Sequence, residues 1–269
     1  MGERDARRDY LDPSPPSRGR GQGEGALRCG GHVHESSRLG EQDMRPIVGM
    51  ITIGQSPRSD VVPDMVEILG PGVEIRERGA LDGLSPREIA ALAPASDDDL
   101  LVTRLADGSS VFVAKRHMVA RVQALIDELE TFGVTMTALL CTGAFPRFRS
   151  RRPFVEPQEI LLGLLRGLSW EGRLGILTPS LRHVPQTEAR WRSVGFDPVV
   201  VPLSPYQEED PAALHGACIA LREGQAGLVV MDCIGFRRKT RDTLQRELGV
   251  PVLVANLLVA RVVAELCGL

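Results

Sequence analysis

Four places in this 269-residue sequence set chemically capable side chains directly after a run of apolar residues. The runs end in Thr52-Ile53-Gly54-Gln55-Ser56-Pro57-Arg58, Leu140-Cys141-Thr142-Gly143, Leu177-Thr178-Pro179-Ser180 and Met231-Asp232-Cys233-Ile234-Gly235-Phe236. Two of them carry a cysteine followed by a small or polar turn with glycine. A free thiol has a pKa near 8.5, and neighbouring backbone N–H groups, a helix N-terminus or a cation can favour its thiolate. Two such groups on opposite faces of a carbon next to a carboxylate can invert it: one thiolate takes the proton and the other thiol delivers a new one. Cys141 and Cys233 are therefore the candidate acid and base. The other two ends offer an amide, hydroxyls and free backbone N–H groups, which suit a carboxylate. Gln55, Ser56, Thr142, Gly143, Thr178 and Ser180 are the candidate substrate-binding residues, each by position alone. The scheme requires no metal and no organic cofactor.

Each of these features has a plainer reading. A cysteine at a strand end can be a small buried apolar residue. Cys218, inside AALHGACIAL, falls at core-facing helical spacing, and Cys267 lies near the C-terminus. His117 and His215 read as surface or satisfied residues, whereas His183 follows the Thr178 turn closely enough to reach a cleft. Asp232 adjoins Cys233, and adjacent strand residues point to opposite faces. It then caps the following helix or pairs with an arginine, and a supporting role stays open if the backbone turns there. Cys29, His32 and His34 have loosely ligand-like spacing but no fourth ligand or rigid frame, so no metal site is read from them. Arg147, Arg149, Arg151 and Arg152 read as a solvated face, with an anion site near a cleft as the lesser option. The five cysteines form no CxxC pair. GxxxxGK[ST], a GxGxxG after a strand, GxSxG and HExxH are all absent, which removes the usual nucleotide, dinucleotide and hydrolase signals.

The elements that must position these residues follow from hydrophobic period. Short apolar runs bounded by Gly or Pro predict parallel strands at Ile47–Ile53, Val73–Arg78, Val134–Cys141, Leu174–Leu177, Pro198–Leu203, Gly227–Cys233 and Pro251–Ala255. Amphipathic runs between them predict helices at Val61–Leu69, His117–Phe132, Pro157–Leu168, Val184–Val194, Asp210–Glu223, Arg237–Leu248 and Asn256–Leu266. Alternating strands and helices imply a mainly parallel α/β architecture, whose ligands bind beyond the carboxyl ends of the strands. One antiparallel hairpin is expected at Leu100–Arg116, where Asp107-Gly108 separates LLVTRLA from SSVFVAK.

Composition sets the outer limits. Residues 1–43 hold Pro13, Pro15, Pro16 and a GRGQGEG stretch without any apolar run. They read as a disordered or mis-called extension ahead of Met44. The apolar fraction of 43% and charged fraction of 25% are ordinary for a soluble protein. A net charge of −3 implies no broad nucleic-acid surface. No apolar stretch approaches the roughly 20 residues needed to cross a bilayer. A cytoplasmic protein with free thiols, no nucleic-acid partner and no membrane partner is expected, with a homodimer as an open option.

The segment VVMDCIGFRRKTRDTLQRELGVPVLVANLLVARVVAEL resembles the C-terminal signature of the AroM family, and IVGMITIGQSPRSDVVPDM resembles its N-terminal one. The resemblance runs from about Met44 to the end of the chain. More distantly, both look like the aspartate/glutamate/hydantoin racemase superfamily. That resemblance implies two similar α/β lobes with mainly parallel sheets flanked by helices and an active-site cleft between them. The first lobe would span 44–145, with 250–269 returning to it, and the second 146–249. Each lobe of the superfamily supplies a cysteine at a strand end, followed by Asn-Thr in the first lobe and Thr-His in the second. Here Thr142-Gly143 and Ile234-Gly235 stand instead, so the thiols match by position and their flanks do not. The expected activity is that of a cofactor-independent racemase, epimerase or isomerase acting on a small carboxylate. A one-cysteine decarboxylase-type lyase and a non-catalytic small-molecule binding or regulatory protein remain as alternatives.

Overall fold

Apolar runs too short for helices and flanked by turn residues fold into strands, and the amphipathic runs between them fold into the helices that cross over. The computed structural model describes residues 45–269 apart from 208 and 209. The extension 1–43, with Cys29, His32 and His34, lies outside the described residues. In chain order the elements are β1 (Ile47–Thr52), α1 (Val62–Leu69), β2 (Glu74–Gly79), α2 (Pro86–Ala90), β3 (Leu100–Arg104), β4 (Ser110–Ala114), α3 (Lys115–Phe132), β5 (Met136–Leu140), β6 (Phe154–Val155) and α4 (Pro157–Arg166). There follow β7 (Arg173–Thr178), α5 (Val184–Ser193), β8 (Pro198–Pro202), α6 (Pro211–Glu223), β9 (Ala226–Met231), α7 (Arg238–Leu248), β10 (Val252–Val254) and α8 (Ala255–Cys267).

Two four-stranded sheets result, in the orders β2-β1-β5-β6 and β10-β9-β7-β8. Every neighbouring pair in both is parallel. The two orders are the same plan: the opening strand of each half has its second strand on one side and its third and fourth on the other. Cys141 follows β5 and Cys233 follows β9, so the thiols occupy matching places. The hairpin β3–β4 forms its own antiparallel pair, turning at Asp107 and at Gly108, whose φ is 85°.

Strand alternation sorts the apolar residues into three cores. Val48 and Met50 of β1, Met136 and Ala138 of β5, and Ile176 and Val230 of the second sheet share one interior with α1, α4 and α8. Ile51, Leu139 and Cys141 face the opposite way, into a core closed by α3 through Met118, Val122, Ile126 and Leu129. Val229, Met231 and Cys233 do the same beneath α6 and α7. The two sheets therefore meet through a common layer, and each has a private core behind it.

Two elements fall differently from the expected division. Phe154–Val155, placed by the sequence reading in the second lobe, pairs with β5 in the first sheet. Val252–Val254, expected to return to the first lobe, pairs with β9 in the second sheet. The return is made by α8 alone, which packs against α1 and α4. A parallel strand reached through a short crossover helix takes the adjacent open edge, which for β10 is β9.

Candidate active site

The carboxyl ends of β1, β5, β7 and β9 converge on one cavity of about 330 Å³. Cys141 and Cys233 both line it, and they are close enough to influence one another electrostatically. Each is nearly buried, at 8% and 6% exposure.

Around Cys141 the turn folds back so that Gly143 donates its backbone N–H to Sγ at 3.4 Å. Burial dominates nonetheless and pushes this thiol up to about 12, with the Gly143 N–H and the Arg190 guanidinium pulling the other way. Cys233 is also raised by burial. Against that act the Tyr206 hydroxyl, 3.5 Å from Sγ, the Gly235 N–H and the nearby Arg58. Arg58 follows β1, is only 2% exposed and forms a forked ion pair with both oxygens of Asp60 at 2.8 Å. Its third contact is Nη1 to Thr52 Oγ1 at 2.9 Å, which ties it to the end of its own strand. Burial works against the Arg58 charge, but the hydrogen bond and field of Asp60 outweigh it and raise its pKa.

Arg190 joins the two halves. From α5 its Nη1 donates to the Thr142 carbonyl at 3.1 Å and to Gln158 Oε1 on α4, and its Nη2 pairs with Asp232 Oδ2. Trp191 Nε1 donates to the same Asp232 oxygen at 2.8 Å, while Asp232 Oδ1 is buried without a hydrogen-bond partner among the described residues. One guanidinium thus touches the residue after the first cysteine and the residue before the second. Alternation explains this: Cys233 falls behind the second sheet, so Asp232 falls on the shared-interior side where Trp191 sits.

The remaining wall mixes apolar side chains such as Ile53, Leu101 and Ile234 with polar ones. Thr178 and Thr187 hydroxyls share a hydrogen bond at 3.0 Å, and His183 Nδ1 bonds Ser180 Oγ at 2.8 Å. Burial, reinforced by Arg182, lowers His183 to about 4 and keeps the ring neutral. Asn256, fully buried at the start of α8, donates to the carbonyls of Ile234 and Phe236 at 3.0 and 2.7 Å and fixes the turn after Cys233.

Of the residues singled out from sequence, Cys141, Cys233, Thr142, Gly143 and Thr178 line the cavity. Ser180 stands behind His183. Gln55 and Ser56 are not part of its lining. Gln55 accepts from Ala106 N at 2.9 Å and so fastens the hairpin, and Ser56 is bound by Asp82 through its backbone and its hydroxyl. The chain after β1 turns away at once, which spends these two residues on loop structure and brings Arg58 to the site instead. Arg58, Arg190, Thr187 and Tyr206 were not anticipated as lining residues. The basic run stays at the surface: Arg151 bonds Glu130 at 2.8 Å and is 75% exposed. Among the described residues no cluster of His, Cys, Asp and Glu could hold a metal ion, and no helix is long and apolar enough to cross a membrane.

A family model described as AroM protein matches residues 48–267. No curated protein matches the chain. The fold is similar to that of unliganded arylmalonate decarboxylase, at 17% identity and a TM-score of 0.55 over 83% of this chain and 93% of that one. It is similar to allantoin racemase from Klebsiella pneumoniae, at 16% identity and a TM-score of 0.55 over 83% and 88%. It is also similar to Nocardia farcinica maleate cis-trans isomerase with a covalently bound succinylcysteine intermediate, at 16% identity and a TM-score of 0.53 over 83% and 93%. At these identities the likeness establishes the racemase-type α/β fold.

Proposed function

The chain belongs to the AroM family, and from that premise we propose that it is a cofactor-independent isomerase of the racemase or epimerase type, acting on the carbon next to a carboxylate. The observation that carries this reading is that Cys141 and Cys233 line one cavity from matching ends of two sheets built in the same strand order. A carbon held between them would lose its proton to one sulfur and gain another from the opposite sulfur. Negative charge then develops on the substrate carboxylate, where donors aimed in advance stabilise the transition state. Arg190, Thr142 and Thr178 line the same cavity and supply such donors. The likeness to maleate isomerase, in which a cysteine becomes covalently bound, supports thiol chemistry at this fold.

A second reading is favoured by one observation. The Cys141 thiol is held neutral, with its pKa up at about 12, and a neutral thiol can protonate an enolate left by loss of CO₂. Loss of CO₂ is the chemistry that the name of arylmalonate decarboxylase carries. Incubation with a panel of small carboxylates in D₂O, followed by proton NMR, separates the readings. An isomerase exchanges the α-hydrogen and needs both thiols, so Cys141→Ala and Cys233→Ala each abolish exchange. A lyase releases CO₂ and tolerates loss of one of the two thiols, so only one of the two alanine variants is inactive. Saturable binding with neither reaction identifies a binding protein and overturns the catalytic readings.

A further inference from the structure

The isomerase reading treats the two thiols alike, but their surroundings differ. Cys141 receives one backbone N–H, from Gly143. Cys233 receives a backbone N–H from Gly235 and stands 3.5 Å from the Tyr206 hydroxyl. Tyr206 is held for this contact. It has no room to approach Cys233 unless residue 235 lacks a side chain, because a Cβ there would lie 2.6 Å from its ring. Arg104 stands over the ring at 6.0 Å from its centroid. The charged and titratable groups around Cys233 come from several elements. They are Arg58 with Asp60 after β1, Tyr206 after β8, the preceding Asp232, and Cys141 across the cavity. Around Cys141 they are Arg190 on α5, Asp232 and Cys233.

We propose that Cys233 is the resting base and Cys141 the resting acid, and that Tyr206 sets this order as a catalytic residue by donating its hydroxyl hydrogen to the Cys233 thiolate. The assignment rests on the isomerase reading for its chemistry and on the geometry alone for its titration. Deprotonation of Cys233 gives its proton to solvent. Its thiolate then takes hydrogen from the substrate carbon, forming S–H as C–H breaks, and the electron pair moves into the enolate of the carboxylate. The Cys141 S–H bond breaks to supply hydrogen to the opposite face and leaves Cys141 as thiolate. Among the described residues no hydroxyl is hydrogen-bonded to Cys141 to hold that charge, so Cys141 recovers a proton from solvent while Cys233 releases one, and the resting state returns. Arg58 acts on Cys233 as Arg190 acts on Cys141, so the hydroxyl of Tyr206 is what distinguishes the two thiols.

The test follows iodoacetamide alkylation of each cysteine in the full chain by peptide mass spectrometry as pH is raised. In the unaltered protein Cys233 should titrate at lower pH than Cys141. Tyr206→Phe should move the Cys233 midpoint up by about one unit, a tenfold loss of thiolate at fixed pH, and leave Cys141 in place. Gly235→Ala, which displaces the Tyr206 ring, should move Cys233 in the same direction. Prior titration of Cys141, an unmoved Cys233 in Tyr206→Phe, or equal movement of both thiols would each overturn the proposal. Where a variant fails to fold, the order in the unaltered protein still decides the assignment. No substrate enters the experiment, so it fails separately from the isomerase reading, which the exchange assay decides.

Discussion

At the scale of single residues, the site depends on two arginines beside the two thiols, Arg58 buried and Arg190 partly buried. Arg190 is the more consequential, because it holds Asp232, whose side chain has no exposed surface. Removing one partner of a buried pair leaves an uncompensated charge, at a cost of about 3–5 kcal/mol. Arg190→Ala should therefore lower stability by about that amount in urea melts, and pairing it with Asp232→Asn should recover part of the loss. A second consequence concerns pH. Both thiols are raised by burial, Cys141 to about 12, so the base form is scarce at neutral pH and accumulates on the alkaline side. On the proposed isomerase reading the rate should rise between pH 6 and 9, and a flat or falling profile would speak against a thiolate base. The cysteines were legible in sequence because each ends a buried apolar run. Asp232 was legible in part: strand geometry put it on the face opposite Cys233, and pairing with an arginine was one of the two roles that left open. Arg190 was not, because EARWRS reads as the polar face of a helix and its partners Gln158, Thr142 and Asp232 are remote in the chain. Gln55 and Ser56 misled because a position after a strand does not say which way the loop turns.

At the scale of elements, short segments carry the geometry of the site. Asn256 at the head of α8 satisfies the carbonyls of Ile234 and Phe236. Asn256→Ala would leave both buried without a donor, and should destabilise the protein by about 2 kcal/mol or more and loosen Cys233. His183, between β7 and α5, is buried with its pKa near 4 against the ordinary 6.5. The fold thus favours the neutral ring. Its contribution is complete above about pH 6.5 and is lost as the pH falls from 6.5 towards 4, where the unfolded chain binds the extra proton. Up to about 3 kcal/mol should disappear over that range, and a His183→Gln variant should show a shallower acid limb in its melting temperatures. Long strands and helices were readable from period alone. The two-residue strand β6 was not, because two residues establish no alternation. Helix α2 was missed although Ser85 and Glu88 carry the capping-box spacing and form both of its bonds, a signal that could have found it.

At the scale of the whole molecule, two sheets of identical plan share one interior and place two thiols at matching positions. The alternation of strands and helices predicted parallel sheets, and the resemblance of the two signature segments to a known family predicted their pairing into a racemase-type fold. The exact allotment of strands was not legible, since edge pairing depends on which sheet edge lies open after the crossover and not on the strand's own composition. The matching plan has one further consequence for packing. Gly49 and Gly175 occupy equivalent places in β1 and β7, and a Cβ at either would come within 2.8 Å of a leucine on a covering helix, Leu129 or Leu221. Gly49→Ala and Gly175→Ala should each cost about 1–3 kcal/mol through overpacking, measured as a lower urea midpoint. The central claim is that two thiols act on one carbon from opposite sides. It is tested most directly by the position of solvent deuterium at low conversion, with any carboxylate of the panel that the protein turns over in D₂O. Two opposed thiols predict deuterium in the inverted product and unlabelled hydrogen in the recovered substrate. Equal labelling of product and recovered substrate, or no exchange with any carboxylate, would contradict the account.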